Sequence, residues 1–349
     1  MLSPTLIDEQ ALTLPELYAE ELPAILAGEE PLPAGIRRVY ALGNGDSYHA
    51  ALAAAEAFAA WTDITYLPMP AYTFQTKELP RMATARAQET LLVCISASGS
   101  SKLAVSILTE VKARGVGRTL SLAGKPGCAM DQAAEWTLST AIAEKGRSPG
   151  IRTYAASVAG LLQLACRLVG RDASALAGQL RAAAAAMPAL LARAGQAADV
   201  AAAWDWPLAS VLGCDGLLGC ARFVAAKLAE GCGVYAAGQE LEEWCHVESM
   251  TYPLNAPVII LQGSEAERAK TLRVADTAHR AGRRVLLVGA GAEDAALLAA
   301  ADEAIFLGLD CDPALYPLFH YLPALPLISA LAARLGRAMF LSDQPFKLF

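Results

Sequence analysis

Short runs of apolar and β-branched residues alternate along this chain with longer stretches in which apolar positions recur every three or four residues. The short runs mark buried strands and the longer period marks helices, so their alternation predicts an α/β fold of parallel sheets covered by helices. In the first half the pattern predicts strands over 39–42, 64–67, 91–95, 119–123 and 136–139, with helices over 48–60, 102–113 and 155–169. In the second half it predicts strands over 209–213, 233–236, 258–262, 284–288 and 304–307, with helices over 221–229, 266–281, 293–300 and 324–335. Between the halves, 174–203 is so rich in alanine that it reads as a helical connector.

The halves echo one another faintly. Leu42-Gly43 and Leu212-Gly213 each open a strand-to-helix turn about 170 residues apart, and Leu91-Leu92-Val93 before Ser98-Gly99 is matched by Val258-Ile259-Ile260 before Gln262-Gly263-Ser264. The expected architecture is two tandem doubly wound, flavodoxin-like domains over 1–170 and 206–335, joined by a connector over 171–205 and followed by a tail over 336–349. In such sheets ligands bind beyond the carboxyl ends of the strands, where the strand order reverses.

Composition narrows the classes. Apolar residues make up 55% of the 349 positions and charged residues 18%, enough to bury large cores. The formal net charge of −7 argues against a nucleic-acid partner, which calls for a basic face. No membrane span is expected, because the richest apolar stretch, 322–333, is broken by Pro323 and Pro326; nor does 1–10, with Asp8 and Glu9, read as a signal peptide. The eight cysteines form no CxxC pair and no zinc spacing, so they read as buried thiols in a reducing, cytoplasmic setting. No metal and no cofactor is implied.

The sharpest local signal is Cys94-Ile-Ser96-Ala-Ser98-Gly99-Ser100-Ser101, placed between a buried strand and a helix. Such a loop aims backbone N–H groups and small hydroxyls at one point, where the helix dipole favours an anion; the competing reading is a serine turn capping the helix. Gly43-Asn-Gly45-Asp46-Ser47-Tyr48 has the same placement but lacks the third glycine of a dinucleotide fingerprint. Lys227 and Glu230, three residues apart, share a helix face, which by itself reads as a surface ion pair. Glu243-Trp-Cys-His246 holds one of four histidines, and a lone histidine beside Trp244 reads first as a packed residue.

Taken together these blocks resemble the sugar isomerase (SIS) family, most closely the isomerase half of glucosamine–fructose-6-phosphate aminotransferase and its free-standing deaminase and deglycase relatives. Gly45-Asp46-Ser47-Tyr48 resembles the family's G-T-S-Y turn, and Ile95 to Ser101 its I-S-Q-S-G-E-T phosphate loop. Arg152-Thr153-Tyr154 resembles its K-T-Y run. The stretch 227–259 resembles, without a gap, the K-x-K-E … E-L-K-H-G-P … P-V-I run. Ile7 to Gln10 and Asp343-Gln344-Pro345 resemble its opening and its close.

The resemblance implies that Ser47, Ser96, Ser98 and Ser101 hold a sugar phosphate, with Asp46, Lys227 and Glu243 as further substrate contacts. It implies that Glu230 moves a proton between the first two sugar carbons and that His246 opens the ring. Because the family often supplies this histidine from the neighbouring subunit, a homodimer is implied. Lys347 is the candidate for the family's C-terminal lysine, although it lies two residues past Pro345 rather than about five.

The departures are Asp46 for threonine, Ala97 and Ser100 for glutamine and glutamate, and Val247-Glu248 for the usual G-P. With no glutaminase segment expected, amine release or isomerisation fits better than amination. The implied function is a deaminase, deglycase or aldose–ketose isomerase acting on a phosphorylated amino sugar or ketosamine. The alternatives are a non-catalytic sugar-phosphate sensor and an isomerase of an unphosphorylated sugar derivative.

Overall fold

The structure is a computed structural model and describes residues 5–146 and 149–346. Its strands are β1 (Arg38–Gly43), β2 (Thr65–Pro70), β3 (Thr90–Ser96), β4 (Arg118–Ala123), β5 (Trp136–Ser139), β6 (Ala209–Leu212), β7 (Ala236–Gln239), β8 (Val258–Gln262), β9 (Val285–Gly289) and β10 (Glu303–Phe306). The helices needed below are α1 (Leu6–Ala11), α2 (Asp46–Ala53), α3 (Lys102–Arg114), α4 (Ile151–Leu168), α5 (Ser174–Ala202), α6 (Gly216–Cys232), α7 (Leu241–His246), α8 (Glu265–Arg280) and α9 (Ala324–Leu335).

Two five-stranded sheets form, with orders β2-β1-β3-β4-β5 and β10-β9-β8-β6-β7, and every pairing in both is parallel. Numbered within its own half, the second order is that of the first, so both sheets are doubly wound with the reversal between their first and third strands. Central strands β3 and β8 are buried almost throughout, the signature of a sheet covered on both faces.

The chain packs as two units. One holds the first sheet, from Glu16–Glu144 and Gly150–Ala182; the other holds the second sheet, from the described parts of 1–15, 145–149 and 183–349. In the first unit, Phe74, Leu92, Ile107, Leu108 and Val111 are buried in one cluster against β1 and β3. Arg152, almost wholly buried, donates to Glu21 at 2.6 Å, an ion pair that ties the start of α4 to the N-terminal helical region of the same unit. In the second, Trp244, Ile260, Val274 and Val285 anchor the corresponding cluster.

All ten strands fall at or near the predicted positions, with one clear shift. The strand expected over 233–236 is β7, Ala236–Gln239, because Gly233 adopts a left-handed conformation (φ 66°) and ends α6 instead of starting a strand. The helix expected over 221–229 is longer, Gly216–Cys232, and the one expected over 48–60 is split at Ala54 into α2 and Ala55–Trp61. Four cysteines are buried as expected (Cys94, Cys166, Cys220, Cys232), whereas Cys128, Cys214, Cys245 and Cys311 are half-buried.

Among the described residues one helix, α5, is long and apolar enough by length and composition to cross a membrane. The stretch singled out in the sequence forms the shorter apolar helix α9 and falls short on length. Leu176, Leu180, Ala184, Met187, Leu190, Ala194 and Ala198 line one buried face at helical spacing, and Arg181, Arg193 and Asp199 lie among the exposed positions.

At Gly231 the helices α6, α9 and α1 are in tight contact, for a Cβ there would stand 2.3 Å from Ile328 Cγ2 and 3.1 Å from Ile7 Cδ1. Gly231→Val should therefore overpack this junction and cost about 1–3 kcal/mol. Thermal unfolding should show a melting temperature lower by several degrees; an unchanged value would mean that the three helices separate freely.

Candidate functional site

In the first unit the reversal of strand order leaves the loops after β1 and β3 side by side, since β1 and β3 are direct neighbours. The β3 loop carries the serines. Ser98 Oγ lies 2.8 Å from Ser100 Oγ and 3.5 Å from Ser96 Oγ, while the Gly99 N–H donates to Ser96 Oγ at 3.1 Å. Ser101 caps α3 by accepting the Ala104 N–H at 3.3 Å. The loop is therefore both a helix cap and a cluster of hydroxyls.

Gly99 is the only residue type that fits its place. Its φ is 62°, and an added Cβ would lie 2.2 Å from Cys128 Sγ. The β1 loop is equally tight, because a Cβ on Gly43 would meet Ser47 Cβ at 2.7 Å. Ser47 thus rides on the first turn of α2, directly against the strand end, beside Asp46, one of whose carboxylate oxygens is shielded from solvent. The structure brings Ser47, Asp46, Ser96, Ser98 and Ser101 onto two neighbouring loops.

Lys227, Glu230, Glu243 and His246 belong to the second unit. Lys227 is 2% exposed, so its pair with Glu230 is not the surface ion pair its spacing alone would give. Its ammonium contacts Glu230 Oε2, donates to the Pro149 carbonyl at 3.0 Å and lies 5.1 Å from the centre of the Phe223 ring. A buried ammonium calls for such partners, and these fix the Glu230 side chain, itself a third exposed, in one orientation.

His246 stands elsewhere. Glu230 occupies the last turn of α6, six residues before β7 begins, whereas His246 ends α7 beyond the carboxyl end of β7. In the chain the two are separated by β7 and most of α7. His246 is exposed, with Nε2 3.2 Å from Glu242 Oε1, and Glu242 also contacts Lys270. Glu243 is exposed on α7, its N–H held by the Glu240 carboxylate at 2.9 Å. Lys347 falls outside the described residues. Among the described residues, no group of three or more His, Cys, Asp or Glu side chains is arranged to hold a metal ion.

Two supporting residues escaped the sequence reading. Arg283, 1% exposed, donates through Nη2 to the Thr251 carbonyl at 2.8 Å and to those of Glu248 and Ser249 at 3.4 Å. It braces the segment that follows His246, and burial holds its pKa below the ordinary arginine value. His320 is fully buried between two carbonyls, Nδ1 2.9 Å from Tyr316 O and Nε2 3.0 Å from Gln262 O at the end of β8.

The SIS domain family model matches residues 34–167, the stretch that contains the first sheet and both serine-bearing loops. Solved structures extend the likeness to nearly the whole length. The C-terminal domain of glucosamine-fructose-6-phosphate aminotransferase from Francisella tularensis superposes with a TM-score of 0.78 at 16% identity, covering 96% of this chain and 97% of that one. Glucosamine-6-phosphate deaminase from Thermotoga maritima gives 0.71 at 16% identity over 97% and 98%. Tagatose-6-phosphate ketose/aldose isomerase from Escherichia coli gives 0.70 at 17% identity over 94% and 93%. At these identities the structural likeness establishes the fold: two tandem SIS-like domains. No curated protein matches the chain in sequence.

Burial lowers the pKa of His320 below its ordinary value of 6.5. As the pH falls below that value the unfolded chain takes up a proton that the folded chain refuses, so the stability held above pH 6.5 is lost on acidification. Between pH 7 and pH 5 the melting temperature of the wild type should fall more steeply than that of His320→Gln. Parallel curves would contradict this.

Proposed function

We propose that this protein is an enzyme of the SIS class that binds a phosphorylated amino sugar or ketosamine and shifts a proton between its first two carbons, releasing an amine or interconverting aldose and ketose. The observation that carries the reading is the convergence of Ser96, Ser98, Ser100 and Ser101 at the carboxyl end of β3, beside Ser47 on the adjacent loop, where the strand order reverses. Small hydroxyl donors and a helix start aimed at one point suit a phosphate. The phosphate then contributes binding free energy that orients the reacting end of the sugar.

Glu230 is assigned the role of base. Removing the proton next to a carbonyl and returning it to the adjacent carbon calls for one carboxylate held in a fixed orientation. The buried Lys227 supports that assignment by pinning Glu230. Lys347 is assigned the place of the family's C-terminal lysine. Asp46 and Glu243 are assigned contacts to the sugar.

His246 is assigned to ring opening, a proton transfer that suits an imidazole near neutral pH. Because the family that the chain resembles often supplies this histidine from the neighbouring subunit, the reading makes the protein a homodimer in which His246 serves the partner's site. Val247, Met250, Tyr252 and Leu254, all exposed and all within eight residues of His246, support a covered face there.

Two results test the reading. Ser98→Ala with Ser101→Ala should weaken binding of sugar 6-phosphates by about tenfold or more, the scale of one or two charge-assisted hydrogen bonds. Binding of the unphosphorylated parents, followed by calorimetry, should stay unchanged; equal weakening of both, or of neither, would remove the phosphate assignment. Glu230→Gln and His246→Asn should each be inactive alone. Co-expressed, they should regain about a quarter of the wild-type activity, because half the twofold dimers then carry one intact site. No recovery would place both residues in one subunit's site.

A further inference from the structure

The segment after His246 is built to hold one carboxylate. Glu248 stands two residues beyond His246, and its carbonyl is gripped from one side by the Arg283 guanidinium at 3.4 Å and from the other by the Thr251 hydroxyl at 2.7 Å. Arg283 is itself fixed by burial, by the Thr251 and Ala256 carbonyls, and by Trp244, whose ring centre lies 5.9 Å from its guanidinium. Trp244 in turn donates its indole N–H to Ser210 Oγ at 3.1 Å. Backbone and brace together leave the Glu248 side chain little freedom.

The side chain is held as well. Gln239, the last residue of β7, donates its amide to Glu248 Oε1 at 3.1 Å and accepts the Glu240 N–H through its own oxygen at 2.9 Å, which fixes the amide's orientation. Glu248 Oε2 is shielded from solvent and meets no protein donor. A shielded carboxylate oxygen without a donor is costly unless a ligand supplies one, and a cationic donor offsets that cost best. Glu248 lies in the crossing from β7 back to the start of β8, with Arg283, two residues before β9, beneath it.

We propose that Glu248 is the specificity residue for the amino group of the ligand: Oε2 accepts a hydrogen bond from the ammonium of an amino sugar phosphate, with Gln239 orienting the carboxylate. This rests on the sugar-phosphate reading above and on the role given there to His246, whose segment Glu248 shares.

The test is calorimetric titration of the full chain with glucosamine 6-phosphate and glucose 6-phosphate, which differ only in an amine or a hydroxyl at C2. The wild type should bind the amino sugar at least tenfold more tightly. Glu248→Gln, which keeps the shape, should bring that ratio to within about twofold by weakening the amino sugar alone, and Gln239→Leu should lower the ratio part of the way. A ratio near one in the wild type, with both phosphates bound, overturns this proposal and leaves the phosphate reading intact. A ratio unchanged by Glu248→Gln overturns it too. If neither sugar phosphate binds, both readings fall. Should Glu248→Gln fail to fold, Gln239→Leu still tests the assignment, since a ratio that it leaves unchanged overturns the proposal.

Discussion

A parallel sheet wound in both directions has one unavoidable gap. Where the strand order reverses, the two central strands send their following helices to opposite faces, and the loops between strand and helix stand uncovered, with helix N-termini pointing outward. In the first sheet that gap falls between β1 and β3, and the chain fills it with glycine and serine. Gly43 and Gly99 have no room for a side chain, and the serines around them supply the donors. The second sheet has the same order but closes its gap differently. The loop after β8 is only Gly263-Ser264, and Glu267 folds back to accept the N–H groups of both, at 3.0 and 3.3 Å. In the first sheet serine hydroxyls accept the loop N–H groups of Gly99, Ser100 and Ala104, whereas in the second a carboxylate does so.

The second constraint is the burial of two cations. In the second unit Lys227 and Arg283 are each almost wholly shielded, which is costly unless most of their charge is met by acceptors. Lys227 is met by a carboxylate and a carbonyl, Arg283 chiefly by carbonyls of a single loop. Each fixes a different functional segment, Glu230 in the first case and the stretch from His246 to Ala256 in the second.

Much of the fold is legible in the sequence because strands buried on both faces read as apolar runs bounded by small residues. Leu91 to Ile95 and Val258 to Gln262 are of this kind. β7 is not: Ala-Ala-Gly-Gln at an edge carries no apolar signal, so its place was read three residues early, at the glycine that ends α6. The serine loop is legible because its donors are consecutive. The buried state of Lys227 is not, since an i, i+3 pair of opposite charge looks the same on a solvated helix face, and the carbonyl it reaches is 78 residues away. Arg283 is still less visible, its partners lying 27 to 35 residues off in a loop with no motif. Glu248 stood out in sequence only as a departure from a family pattern. The orientation that gives it a role depends on Gln239 and Arg283, which no local spacing reveals.

The central claim is that Glu230 moves a carbon-bound proton of a sugar phosphate. Its most direct test is isotope exchange, with the protein and a panel of sugar 6-phosphates incubated in deuterium oxide and the C1 and C2 protons followed by nuclear magnetic resonance. The account predicts that at least one amino sugar phosphate loses its C2 proton signal far faster than in the enzyme-free control, and that Glu230→Gln abolishes this exchange. Firm binding of the same ligands with no exchange at either carbon would contradict it and make the protein a binder without turnover.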